Sequence, residues 1–402
     1  MRVLFVSTSQ GGLCGGGERY LQILAEALAA QCGVVPEVAM SRAPCMDWLA
    51  EGLGRLAVPV HRLGMRNLFA YRTRAIGCYL DPRNRICVAR LIRSVRPDII
   101  HVNQQNVEDG LDVVRTAQVV RPGRVVGTIH NAQILRSIVT RGRAVREWWA
   151  SRFHRRVPYH RIFVSAASRR SFEQAVPGYA GHNHVVLNGL PLPDSPEHGD
   201  GARLAAKATF GLSEEATVIG YAGRLTAQKD LPLLLQAFAL IAGGHAGSVL
   251  LVAGEGEEGE RLRQLARRLG IEEKVKMPGY LSREGVEAFY RAIDVFVLPS
   301  RWEGLPFVLV EASLRGVPAI ATAVDGNVEA LDCGRAGMLV PPESLAEMAE
   351  AMSRMIRNGG LREEYSRKGM AFAHGRLTAE RMAQQTFGVY QRVVADENTG
   401  SP

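Results

Sequence analysis

Lysine is missing from the first 190 residues of this 402-residue chain. The 26 cations there are all arginine and face only 12 Asp and Glu, a balance of +14, while the remainder carries −5 and the whole +9. The arginine-rich half therefore meets an anionic partner (nucleic acid, an anionic membrane or a phosphorylated acceptor) more readily than the other. Cysteine is sparse: Cys14, Cys32, Cys45, Cys78, Cys87 and Cys333 form no Cys-x-x-Cys pair. That excludes a disulfide frame or a cysteine zinc site and points to reduced thiols in a cytosolic protein. No uncharged run approaches the ~20 residues that span a bilayer. The apolar start from Met1 to Thr8 is short and runs into Gly-rich polar sequence with no cleavage site, so it does not read as a signal peptide. No Asp-x-Asp cluster stands at a strand end, and the glycines after the first apolar run come too late and too clustered for a dinucleotide fingerprint.

What is present describes a globular protein, with 47% hydrophobic and 22% charged residues. The length calls for two domains. Short β-branched runs alternate with helical patterns in both halves, the signature of doubly wound parallel sheets. Strands are predicted at 3–8, 58–62, 99–102, 124–130, 161–165 and 185–187, then at 217–222, 248–253, 275–277, 293–298, 319–322 and 338–340. The Pro- and Gly-rich stretch 191–201 reads as a linker, which gives domains over 1–190 and 191–375. Residues 396–402 read as a frayed tail.

The densest chemistry lies between Pro299 and Glu311. Glu303 and Glu311 stand eight positions apart, with a Gly/Pro turn after the first and an apolar run before the second. A strand ending at Leu298 and a helix starting near Phe307 would put Glu303 in a strand-end loop and Glu311 one turn into the helix. Open α/β sheets bind ligands at that edge, and a helix start favours an anion. Two acceptors around an anion site suit a ligand with hydroxyls on both sides of a phosphate, such as a sugar nucleotide. Arg224 and Lys229, in Gly223-Arg224-Leu225-Thr226-Ala227-Gln228-Lys229-Asp230, follow another predicted strand. An arginine fork and a lysine point charge together can hold a diphosphate, although such a pair alone is often only a solvated turn. The first strand runs into a glycine-rich turn ending in Gly15, Gly16 and Gly17, whose backbone can approach a phosphate.

These segments stand in an order that resembles the retaining GT-B glycosyltransferases of family four. The matching motifs are Gly15-Gly16-Gly17-Glu18-Arg19, Thr128-Ile129-His130-Asn131, Val186-Leu187-Asn188-Gly189, Gly223-Arg224-Leu225 with Lys229-Asp230, Val252-Ala253-Gly254-Glu255-Gly256-Glu257, and the Glu-x7-Glu of Glu303 and Glu311. The resemblance implies an α/β fold of two Rossmann-like parallel-sheet domains facing across a cleft, with a C-terminal helix at about 376–395 packing back on the first. It implies that Arg224 and Lys229 bind the donor diphosphate, that Glu303 contacts the transferred sugar and that Glu311 holds the ribose. Backbone around Gly304, Leu305, Phe307 and Val308 would approach phosphates and sugar, Pro306 having no N–H to give. Gly223 joins the donor site, and Met277 stands where backbone reads the nucleobase. His130 would lie near the donor sugar. Asn103 replaces the second residue of the family's His-x-His, and with His101 and Asn131 it is expected on the acceptor side.

The expected function is transfer of a sugar, with retention, from an NDP-sugar (a UDP-sugar first) to a saccharide or lipid-linked acceptor in surface polysaccharide, lipopolysaccharide or glycolipid synthesis. No cofactor, metal or nucleic-acid partner is expected. A non-hydrolysing sugar-nucleotide 2-epimerase and a non-catalytic sugar-nucleotide-binding protein are the alternatives. Between Arg136 and Arg161, eight arginines with Trp148, Trp149 and Phe153 face the single acid Glu147. A helix there, with Arg146, Trp148, Trp149, Arg152, Arg155 and Arg156 as contacts, suits an anionic membrane surface; a solvated basic face with its tryptophans turned inward is the alternative. The expected location is cytoplasmic and peripheral on the inner face of the membrane.

Overall fold

A computed structural model describes residues 1–8, 15–65, 82–132, 143–193 and 200–399. Residues 11–14 of the glycine-rich turn, Arg136 and Arg141, and 194–199 of the linker lie outside the described residues.

The chain forms two compact units, Met1–Pro191 with Ala379–Pro402, and Leu192–Thr378. The first holds a seven-stranded parallel sheet of β1 (Arg2–Ser7), β2 (Val35–Ser41), β3 (Val60–Leu63), β4 (Ile99–Asn106), β5 (Val125–Asn131), β6 (Tyr159–Phe163) and β7 (Gly181–Val185). The second holds six parallel strands, β8 (Thr217–Ala222), β9 (Ser248–Ala253), β10 (Val275–Gly279), β11 (Val295–Leu298), β12 (Ala319–Thr322) and β13 (Met338–Val340). The orders are β3-β2-β1-β4-β5-β6-β7 and β10-β9-β8-β11-β12-β13. In each sheet the strands step outward from the first and then cross back over it. The crossing opens a crevice at the C-terminal ends of β1 and β4, and of β8 and β11, where doubly wound sheets take their ligands.

Central strands are covered on both faces and so read as continuous apolar runs. Val3, Leu4 and Val6, and Val295, Phe296, Val297 and Leu298, are fully buried. Among the described strands, β2 is not predicted from sequence, and β7 (Gly181–Val185) shares only Val185 with the strand expected at 185–187. Pro36 and Glu37 break the apolar pattern of β2, and Pro36 is tolerated because it sits at the second position, where the ladder has barely begun.

The first unit is completed from the far end of the chain. The helix Ala379–Thr399 packs on the helix Gly16–Cys32, and Ala379 N–H donates to Leu190 O at 2.8 Å. It extends through Thr399, so the tail expected to fray from residue 396 is largely helical.

Candidate functional site

In the second unit two loops meet at the β8/β11 crossing. The first, from Gly223 to Asp230, leaves β8; the second, from Ser300 to Pro306, leaves β11. Backbone and side chains both join them, and Arg301 N–H donates to Gln228 O at 2.9 Å. Lys229 Nζ lies 2.5 Å from Glu303 Oε1, Arg301 Nε lies 3.0 Å from Asp230 Oδ2, and the Gln228 amide donates to Trp302 O at 2.9 Å. Lys229 and Glu303 are largely shielded, so their attraction is less screened than that of a surface pair. Ser300 Oγ donates a second hydrogen bond to Glu303 Oε1 at 2.7 Å. The carboxylate is thus held from two sides.

Arg224 is exposed at the rim, and its carbonyl accepts from Tyr221 Oη at 2.9 Å. Burial, and then the nearby Glu303 charge, push the Tyr221 hydroxyl well above its usual range, so it is fixed as a neutral donor. Gly223 sits at φ +151 with the Tyr221 hydroxyl 2.9 Å from where a Cβ would be. The next loop is fitted as closely. Leu225 N–H donates to Glu255 O at 2.8 Å, and a Cβ on Gly254 would lie 1.9 Å from Gly223 O.

The helix Phe307–Leu314 starts after Pro306, whose backbone is extended. Its first-turn N–H groups point toward the crevice end of β11. Leu305 and Phe307 are buried, whereas Gly304 and Val308 are half-buried. Glu311 is buried one turn in, and Tyr290 Oη donates to its Oε2 at 2.8 Å. Met277 is half-buried in β10, at the outer edge of the same sheet. Glu303, Glu311, Arg224, Lys229 and Gly304 are therefore set around one crossing, and Met277 stands two strands away.

Sequence reading passed over two parts of this site. One is the Arg301–Asp230 pair; its signal was opposite charges in the two motifs. The other is Gly326, in the first turn of the short helix Asp325–Ala330 that follows β12. A Cβ there would lie 1.6 Å from Gly304 O and 2.4 Å from its carbonyl carbon. Only a glycine lets the Glu303 loop rest on that backbone.

In the first unit two carboxylates, Glu18 and Asp109, are tied up by their own loops, Asp109 by Thr8 Oγ1 at 2.9 Å and Gln105 N–H at 3.0 Å, and a line of neutral groups stands beside them. Gly15 caps the helix Gly16–Cys32 and its N–H donates to Glu18 Oε2 at 3.1 Å. Gly17 packs against the Gln105 side chain, and its carbonyl accepts from Asn103 Nδ2 at 2.9 Å. That bond turns Asn103 Oδ1 toward His130 Nε2, 2.7 Å away. His130 Nε2 therefore carries the proton and Nδ1 presents a lone pair. Burial lowers the His130 pKa to about 4, and Tyr20 packs edge-on to the ring at 4.7 Å. Asn131, half-buried, ends β5 beside it.

Two acceptor-side expectations are corrected. His101 is fully buried, with Nδ1 2.5 Å from Tyr390 Oη on the C-terminal helix and Nε2 2.7 Å from Thr128 Oγ1. Enclosed in this way, with its pKa lowered to about 3 chiefly by burial, it serves the core and reaches no acceptor. Asn103 is 1% exposed and spends its amide on Gly17 and His130, so it positions rather than binds.

The basic segment also divides. On the helix Arg143–Arg156, Trp148 is 56% exposed, Arg155 and Arg156 are exposed, and Trp149 and Arg152 are half-buried, with the Arg152 guanidinium 5.5 Å from the Trp148 ring centroid. Arg146 does not belong to that face, since it is buried and paired with Glu108 at 2.9 Å. Phe153 is buried too. Arg161 lies inside β6, stacked 4.2 Å over Tyr159 and donating to Ala180 O at 2.9 Å. No helix among the described residues is long and apolar enough to cross a membrane.

Two family models share the chain. "Glycosyltransferase Family 4" matches residues 14–192 and "Glycosyl transferases group 1" matches 203–371. A D-inositol 3-phosphate glycosyltransferase of Kribbella flavida is 30% identical over 216 residues, 50% of this chain and 49% of that protein. The chain spans about half the length of the curated relatives it matches. Among solved structures, HepE of Anabaena in complex with UDP superposes with a TM-score of 0.79 at 22% identity, covering 98% of this chain and 100% of that one. The sucrose-phosphate synthase of Thermosynechococcus elongatus does so with 0.79 at 19% identity, over 98% and 100%. Matched side by side over nearly all its length, and built on two Rossmann-like parallel sheets, the chain belongs to the GT4-type glycosyltransferases of the GT-B fold.

Proposed function

We propose that this protein transfers a sugar, with retention of anomeric configuration, from a UDP-sugar to a saccharide or lipid-linked acceptor in surface polysaccharide or glycolipid synthesis. The observation that carries the reading is the Lys229–Glu303 pair at the β8/β11 crossing, with Arg224 at the rim and a helix start beside it. UDP is the first nucleotide to test because it is bound in the similar HepE of Anabaena.

Lys229 and Arg224 take the donor diphosphate and, with the first-turn N–H groups near Phe307 and Val308, stabilise the charge that grows as it leaves. Glu303 accepts from hydroxyls of the transferred sugar. Glu311, set by Tyr290, accepts from the ribose hydroxyls, and backbone near Met277 reads the base. His130, a neutral ring with an acceptor Nδ1, is assigned to a sugar hydroxyl. The C1–O(phosphate) bond breaks while the acceptor oxygen bonds C1 on the same face, and the acceptor proton passes to the leaving phosphate. No side chain is needed as nucleophile. With two cations on the diphosphate, the reaction is assigned no divalent ion.

Incubation with radiolabelled UDP-sugars should give slow donor hydrolysis, and product anomers read by NMR should match the donor. Binding of UDP without turnover of any UDP-sugar would overturn the reading. The exposed Trp148, Arg155 and Arg156 support a peripheral membrane location at a cytoplasmic face. Each such cation contributes about 1 kcal/mol near an anionic surface. Trp148→Ala/Arg155→Ala/Arg156→Ala should abolish co-sedimentation with anionic liposomes, and unchanged binding would remove this helix as the anchor.

A further inference from the structure

At the opposite end of the first sheet, three histidines share one face. His160, the second residue of β6, pairs in register with His182, the second residue of β7, and His184 follows two positions on. Alternation along the strands directs all three to the same side and sends Arg161 to the other. The rings lie close. His160 stands 4.7 Å from His182 and 5.3 Å from His184, centroid to centroid, the latter pair parallel within 4°. The C-terminal helix passes over this edge and brings Asp396 to 3.6 Å from His160 Nε2. Donor atoms of His160, His182 and Asp396 all lie within 4.8 Å of one another.

We propose that His160, His182 and Asp396 form a site for a borderline divalent transition ion of the Zn²⁺ class, which staples the last turns of the C-terminal helix to the edge of the first sheet. Two imidazole nitrogens and one carboxylate oxygen are a donor set suited to Zn²⁺ and its neighbours and poorly suited to Mg²⁺. Metal–ligand bonds of about 2.0–2.2 Å bring ligand atoms nearly as close together as His160 and Asp396 already stand. Drawing in the three donors, which now stand within 4.8 Å of one another, closes the helix end further on the sheet. A ligating histidine is oriented by a hydrogen bond from its other nitrogen. His184 supplies it: its Nε2 lies 3.1 Å from His160 Nδ1, which leaves His160 Nε2 turned to Asp396. Water fills the open coordination position, because His182 is exposed and Asp396 half-exposed. The ion sits toward the N-terminal strand ends, away from the C-terminal ends that carry His130, so it is assigned to structure and not to transfer.

The probe is Zn²⁺ added to the full chain after stripping with EDTA, followed by calorimetry and thermal melting. One equivalent should bind and raise Tm, while Mg²⁺ does neither. Stoichiometric binding and the Tm gain should vanish in His182→Ala, an exposed position whose loss spares the core, and in Asp396→Asn. His184→Ala should weaken binding roughly 10- to 100-fold. Absence of Zn²⁺ binding by the unaltered protein, or undiminished binding by His160→Ala/His182→Ala, overturns the assignment.

Discussion

The two sheets cross back on themselves in the same way, yet their crevice ends carry different chemistry. At β8/β11 the groups are ionised and joined crosswise, Lys229 to Glu303 and Arg301 to Asp230. At β1/β4 the carboxylates Glu18 and Asp109 are spent on their own loops, and a neutral line runs from Gly17 through Asn103 to His130. One topology thus supplies a charged clamp in one unit and a polar relay in the other. A clamp suits a diphosphate, whose charge rises during reaction, whereas a relay suits hydroxyls, which need a donor or acceptor of fixed sense and no net charge.

The largest test removes the cation of the clamp. Lys229→Ala should lower kcat of the proposed transfer by about 10²- to 10³-fold, the usual loss when one preorganised donor to a developing charge is deleted. His130→Asn in the relay should cost less. Steady-state kinetics on both variants checks the contrast, and equal losses would erase it.

Acid should separate the units next. Burial holds His101 and His154 near 3 and His130 near 4, and His160 and His184 also fall to about 4. As pH drops through the ordinary histidine value of about 6.5, the unfolded chain protonates these rings while the folded first unit does not. The unfolded state then binds more protons, so the first unit loses stability as pH falls from about 6.5 toward 4. Asp109 opposes this, since burial raises its pKa to about 6 and the folded form takes that proton early. Five rings outweigh one carboxyl. Calorimetry from pH 7 to pH 4 should show the first unit melting progressively earlier, and a Tm independent of pH would contradict the buried neutral rings.

Gly326→Ala should follow. Its methyl meets the Gly304 carbonyl, which belongs to backbone and cannot rotate aside. A destabilisation of roughly 1–3 kcal/mol is expected, together with weaker UDP binding as the Glu303 loop is displaced. Denaturant melts with a UDP titration check both. Smallest is Arg301→Ala. Its guanidinium is nearly half exposed in the pair with Asp230, so UDP affinity should fall by roughly fivefold at most.

The clamp was legible in sequence because each part follows a short β-branched strand directly. Strand, turn and helix start fix where Arg224, Lys229, Glu303 and Glu311 stand before any tertiary packing is known. The relay was less legible. His101 ends up in the core because Tyr390, 289 residues further along, covers it, and nothing local to β4 announces that lid. Arg146 and Arg161 look like their exposed neighbours in composition. They differ by what they meet, Glu108 for one and the Tyr159 ring with the Ala180 carbonyl for the other. Long-range partners decide such cases, and spacing carries no trace of them. Gly326 is the same lesson in backbone form, since its neighbour Gly304 precedes it by a whole helix and strand.

The return of the chain at Ala379 has a consequence for biogenesis. During synthesis the first 191 residues leave the ribosome first, yet the helix that closes over His101 is translated after the entire second unit. A domain normally folds as it emerges; here the leading one must wait with its polar ring uncovered until the trailing one is made. The nascent first unit is therefore the species that chaperones should hold, and stalling translation before Tyr390 should leave it trapped in that open state.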